Sequence, residues 1–128
     1  MDYAGMIPFA GTVGVSIVEA AADRVVGTLE WAPERTTTGG GLHGGALMTL
    51  ADCVGAVCAY LNLPDGASTT TISSATNFLR GVRAGTVTAV ARPIHAGRSF
   101  TTIVTEIRDD EDKLVAQVTQ TQAVLYPR

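Results

Sequence analysis

The run GGALMTLADCVGAVCAYL, residues 44–61, limits the fold more than any other part of the chain. Apart from Gly55 its residues are strong helix formers, enough for about five turns. Asn62, Pro64, Asp65 and Gly66 then stop it in close succession. Apolar side chains fall nearly all round this predicted helix, and Asp52 is its only charge. Such a helix needs sheet on one side and a cover on the other.

The rest of the chain supplies the strands. Before the helix come TVGVSIVEAA from Thr12 and RVVGTLEW from Arg24, joined by the turn-like Ala22 and Asp23. After it come STTTISSATNFL, GTVTAVARPIHA, SFTTIVTEIR and LVAQVTQTQAVLYP. Turn residues at Arg80-Gly81, His95-Ala96-Gly97 and DDEDK between these four predict hairpins and antiparallel pairing. The expected architecture is α+β: a curved antiparallel sheet around one central helix, paired with a second copy of itself.

At 128 residues the chain is the size of a single domain. Apolar residues make up 46% and charged residues only 16%, so part of the apolar surface is expected to be covered by another subunit. The net charge of −3 and the scattered basic residues leave no footprint for nucleic acid. An anionic ligand would be held by a few local groups. The opening MDYAGMIPFAG has no signal-peptide pattern, and no stretch of about 18 apolar residues is expected to span a membrane, so the expected location is cytoplasmic. Cys53 and Cys58 are five positions apart, about 140° round the helix, and read as small core residues with no zinc-site spacing.

The chemistry concentrates at the start of the helix. A glycine-rich turn leaves backbone N–H groups of the first helical turn without partners. Gly44 and Gly45 would let a carbonyl oxygen approach those groups closely. A tight loop and cap is the plainer use of the same glycines. Asp52 adds weight to the first reading, because a carboxylate among Leu, Met, Ala, Val and Cys needs a partner and no Lys or Arg lies between Arg35 and Arg80. The alternative is that Asp52 lies on a thin wet face or bonds a Thr or Ser of a strand. Gly44 and Asp52 are separated by roughly 12 Å along one helix, so they can act on one carbonyl only from two antiparallel helices of a two-fold dimer.

The run GLHGGALMTLAD, with NFLR at Asn77 to Arg80 and HAGRS at His95 to Ser99, resembles the hotdog-fold acyl-CoA thioesterases of the phenylacetate-pathway (PaaI-like) type. The resemblance covers nearly the whole chain from about residue 10. It implies that the Gly44 N–H binds the thioester carbonyl and that Asp52 of the opposite subunit attacks it or activates water. It also implies an assisting hydroxyl at Thr71, a loop shaped and polarised by His43, and substrate contacts from Gly45, Thr37, Asn77, Arg80 and Arg98. Packing against the helix entrance is the other use of His43, and an exposed turn charge the other use of each arginine. Thr37 stands where many relatives have Asn or Gln and has a shorter reach; Gly81 stands where many have Pro. His95 is expected to be a turn residue.

The resemblance thus implies hydrolysis of an aryl- or fatty acyl-CoA to free acid and coenzyme A. Coenzyme A enters only as part of the substrate, without metal or other cofactor. The assembly expected is a homodimer, with a dimer of dimers as its larger alternative. Met48, Val54, Phe78 and Leu79 are the residues expected to shape the acyl pocket. Two other functions fit the same fold: a non-catalytic acyl-CoA binder, and an enoyl-thioester hydratase, for which no acid and histidine pair is apparent.

Overall fold

The computed structural model describes residues 2–128. The chain runs α1 (Pro8–Val13), β1 (Ser16–Ala21), β2 (Arg24–Glu30), α2 (Gly44–Leu61), β3 (Ser68–Phe78), β4 (Thr86–Ala96), β5 (Phe100–Arg108) and β6 (Leu114–Leu125). Six antiparallel strands form one sheet in the order β1-β2-β4-β5-β6-β3, and α2 touches every one of them. This is the α+β hotdog arrangement, a sheet curved around a central helix.

Close packing of helix on sheet depends on small inward residues. Leu50, Val54 and Cys58, at four-residue spacing on α2, are fully buried against Val25 and Leu29 of β2, Ala89 and Ala91 of β4, and Ile103 and Ile107 of β5. A Cβ on Gly27 of β2 would stand only 2.5 Å from Cγ1 of Val54. The missing side chain is what lets the helix sit so near the strand. Cys53 and Cys58 are buried free thiols, as expected of small core residues.

Several expectations need correction. Thr12 and Val13 belong to α1 rather than to the first strand; Pro8 opens that helix and Gly14, in left-handed backbone at φ 100°, closes it. α1 packs on α2 and so supplies part of the outer cover expected from a partner. No hairpin joins β3 to β4. Residues 79–85 cross over instead, with the N–H groups of Leu79 and Arg80 both donating to the Val115 carbonyl at 2.8 and 3.2 Å. His95 lies in β4, not in a turn: the register slips between Pro93, which has no N–H to donate, and His95, and the turn comes at residues 97–99. α2 is, by length and composition, long and apolar enough to cross a membrane, against expectation. In the fold half of it is buried beneath the sheet.

The topology leaves β3 bonded on one side only, to β6. Along this eleven-residue edge about every second residue therefore presents unpaired backbone groups.

Candidate active site

The loop before α2 is fixed by its own backbone. Gly39 and Gly40 take left-handed φ values of 89° and 86°, Thr37 N–H donates to Gly41 O, and the Trp31 indole donates to Gly40 O at 2.9 Å. Leu42 N–H donates to Val82 O, and His43 N–H to Arg35 O, both at 2.8 Å. The helix head is thus held from three directions.

His43 is the N-cap of α2: its Nδ1 accepts the N–H of Gly45 at 2.7 Å. The histidine shapes the loop, and in doing so occupies the Gly45 N–H that was expected to meet substrate. Gly45 still lines the neighbouring clefts. The N–H of Gly44, by contrast, meets no acceptor among the described residues. The Phe78 ring lies over this glycine, where a Cβ would be 3.0 Å from Cζ.

Further down the helix, Gly45, Met48, Thr49 and Asp52 form one stripe at helical spacing and line a cleft of about 360 Å³, closed by Thr71 and Ser74 of β3. Asp52 is exposed there rather than desolvated. Its Oδ1 accepts two hydrogen bonds, from the Thr71 hydroxyl at 2.8 Å and from the Gln120 amide at 3.0 Å. No donor among the described residues reaches Oδ2. Gln122 donates to the Thr71 oxygen at 2.7 Å, while the single Thr69 hydroxyl proton is shared between Ala123 O at 2.8 Å and Gln122 Oε1 at 3.1 Å. The bond from Asp52 to a strand threonine is therefore real, and it leaves one carboxylate oxygen facing the cleft.

A second cleft of about 540 Å³ opens on the other side of the helix head, between α1 and the loop; Phe9, Val13, Arg35, Thr36, His43 and Ala46 are on its wall. Gly45 and Thr49 line both clefts. Thr36, not Thr37, faces this space, and Thr36 Oγ1 donates to Pro33 O at 2.7 Å. Thr37 is exposed and lines neither cleft.

The remaining expected residues are dispersed. Strand alternation sets Asn77 on the face of β3 opposite to Phe78, away from Gly44. Arg80 follows β3 beside the helix head, near Asp109, whose carboxyl is held below its usual range mainly by the backbone N–H of Lys113, then by that of Glu111, with the Arg80 charge adding to both. Arg98 lies in the β4–β5 turn beside Asn62 and Pro64, beyond the helix end, where Tyr126 Oη donates to its carbonyl at 2.6 Å. The length of β3, roughly 33 Å, separates the two arginines within one chain. Of the residues expected to shape the pocket, Val54 is wholly buried in the core, whereas Met48, Phe78 and Leu79 are exposed.

Gln120 and Gln122 were not foreseen. Both are 1% exposed. Their signal in the sequence is a pair of amides two residues apart on the inward face of β6, in line with Ala116 and Val118. Among the described residues no group of three or more His, Cys, Asp or Glu side chains could hold a metal ion.

The family model of the thioesterase superfamily matches residues 39–116, which include the helix head, Asp52, Thr71 and both arginines. The chain belongs to the thioesterase superfamily. Among solved members, a thioesterase of Haemophilus influenzae superposes with a TM-score of 0.88 at 30% identity, covering 92% of this chain and 82% of that one. The PaaI protein of the Escherichia coli phenylacetic acid degradation operon gives 0.82 at 25% identity, over 91% and 83% of the two chains. The 1,4-dihydroxy-2-naphthoyl-CoA hydrolase of Escherichia coli is 33% identical over 84 residues, 66% of this chain and 62% of that protein. The resemblance to PaaI-like members of the thioesterase superfamily agrees with these matches.

Proposed function

We propose that the protein is an acyl-CoA thioesterase whose active site is shared between two subunits. The observation that carries this reading is Asp52: a carboxylate fixed through Oδ1 alone, with Oδ2 turned to a cleft on the helix whose head presents the free Gly44 N–H. The similarity to a naphthoyl-CoA hydrolase supports a CoA thioester as substrate class.

The free edge of β3 supplies the pairing. Thr71, bonded to Asp52, and Phe78, over Gly44, have their midpoint at Ala75: a bulge between Thr71 and Ser73 takes up one residue, and in the ladder with β6 each stands three rungs from Ala75. Antiparallel pairing of β3 with its copy about that midpoint sets the Gly44 N–H level with the partner subunit's Asp52. The same operation brings Arg80 to the end of the joint sheet that carries the partner subunit's Arg98. There the two could hold the phosphates of coenzyme A together, which they cannot do within one chain.

In the reaction, the thioester oxygen gains negative charge as the carbonyl carbon becomes tetrahedral, and the Gly44 N–H at a helix N-terminus stabilises it. Oδ2 of Asp52 either takes a proton from the attacking water or attacks the carbonyl carbon itself. The C–S bond then breaks and coenzyme A leaves as the thiol, with a proton from the attacking water or, after direct attack, from the water that hydrolyses the Asp52–acyl anhydride to free acid. Label in the Asp52 carboxylate after a single turnover in ¹⁸O-labelled water would identify direct attack, with water opening the anhydride at the Asp52 carbonyl; general-base hydrolysis labels the product acid only.

The test is thiol release from a panel of aryl- and alkyl-CoA thioesters. Native protein should turn over some of them, and Asp52→Asn should lower kcat by at least about 100-fold while acyl-CoA still binds. Binding without turnover in native protein would overturn the hydrolase reading and leave a non-catalytic acyl-CoA binder.

A further inference from the structure

We infer that Gln120, with Gly55 beneath it, is a positioning residue that aims Asp52. The inference rests on the thioesterase reading above. Gln120 stands on the inward face of β6, 1% exposed, and its Nε2 reaches Oδ1 of Asp52 across the sheet-to-helix gap at 3.0 Å. The other end of the amide lies against α2: a Cβ on Gly55 would be 1.8 Å from Gln120 Oε1. Gly55 is the one glycine of α2 beyond its first two residues, and the Gln120 amide lies where its side chain would be.

Stability gives no reason for this arrangement. Oε1 of Gln120 is buried and has no hydrogen-bond partner among the described residues. A buried amide left half-satisfied is a worse core group than an apolar side chain of the same shape. What the amide does accomplish is directional. Thr71 and Gln120 approach the same carboxylate oxygen from two different strands, which leaves Asp52 a single orientation with Oδ2 outward. Thr71 alone would allow rotation about that one bond.

The experiment compares Gln120→Met, which keeps length and volume but removes the donor, with native protein. Losing a hydrogen bond to a charged group that orients the reacting atom should lower kcat about 10- to 100-fold, with KM within about 2-fold. The denaturation midpoint should stay the same or rise. In an Asp52→Asn background the substitution should change the residual rate by less than 2-fold, because there is no carboxylate left to aim. A kcat within 2-fold of native overturns the inference, as does an equal loss in the Asp52→Asn background, which would mark Gln120 as structural only. If Gln120→Met does not fold, Gly55→Ala serves instead, since its Cβ displaces the amide; it should reproduce the loss of kcat.

A readout independent of turnover separates this inference from the functional reading. The side-chain amide NMR signals of Gln120 should shift between native protein and Asp52→Asn. If native protein hydrolyses no thioester yet the signals shift, the reaction assigned above fails and the contact that aims Asp52 stands. If the signals do not shift, the inference fails whatever the enzyme hydrolyses.

Discussion

Gln122 donates its amide proton to the Thr71 hydroxyl at 2.7 Å, and that acceptance commits the hydroxyl's own proton to Asp52 at 2.8 Å. Thr71 can donate only once, so the buried amide decides which way its hydroxyl points. Replacing Gln122 by Leu should destabilise the fold by about 1–3 kcal/mol, because the half-buried Thr71 hydroxyl loses its donor and Thr69 keeps only the Ala123 carbonyl as acceptor. Urea denaturation measures the loss. In a Thr71→Val background the further cost should shrink, since one of the two bonds is already gone; equal costs in both backgrounds would argue that the two residues are not coupled.

Gly44→Pro should separate the role of the N–H from that of the helix. Position 44 is the first residue of α2, where proline is tolerated, and His43 already has the extended backbone (φ −64°, ψ 135°) that a following proline prefers. The ring must move the exposed Phe78 by a few tenths of an ångström. The expected result is a folded protein with turnover reduced at least about 100-fold, as for loss of one oxyanion donor.

Mixed dimers test whether the site is shared. Co-expressed Gly44→Pro and Asp52→Asn chains, each inactive alone, should form heterodimers with one intact site and one doubly defective site. Activity per purified heterodimer should approach half that of native protein. No recovery, with heterodimers present, would mean that Gly44 and Asp52 act within one chain.

Gly27→Ala should cost about 1–3 kcal/mol by overpacking. The new methyl would meet Cγ1 of Val54 at 2.5 Å and the Ser16 carbonyl at 3.0 Å, and neither the core helix nor the strand can retreat freely. Thermal denaturation reads the effect.

Burial, with Asp52 adding to it for Cys53 and Asp23 for Cys58, pushes both thiols up from 9.0 to about 11. The native state therefore holds these protons through the range in which the unfolded chain releases them. Their stabilising contribution is present in full below about pH 9 and is lost as pH rises towards 11, by roughly 2–3 kcal/mol per thiol. Chemical denaturation at pH 8 and pH 10.5, compared with a Cys53→Ala/Cys58→Ala protein, checks this. Neither thiol should react with Ellman's reagent at pH 8 until the protein is unfolded.

The sequence by itself determined the elements that depend on local chemistry. The helix at Gly44–Leu61 follows from an unbroken run of helix formers between a glycine turn and a cluster of breakers. Alternation and turn residues located the four later strands to within two residues. Asp52 and Gly44 stood out as candidates because a lone charge and a glycine-rich helix head are conspicuous in an apolar run. Partnership between strands was not legible, since the turn residues at Arg80-Gly81 suit a hairpin and a crossover alike. Only the sheet order, β6 beside β3, decides that Gln120 and Gln122 meet Asp52 and Thr71. Those bonds join residues 68 and 51 positions apart, and their formation depends on how the sheet curves round the helix. The same topology left β3 as a free edge and parted Arg80 from Arg98, because distances across a sheet are set by strand order and not by spacing along the chain.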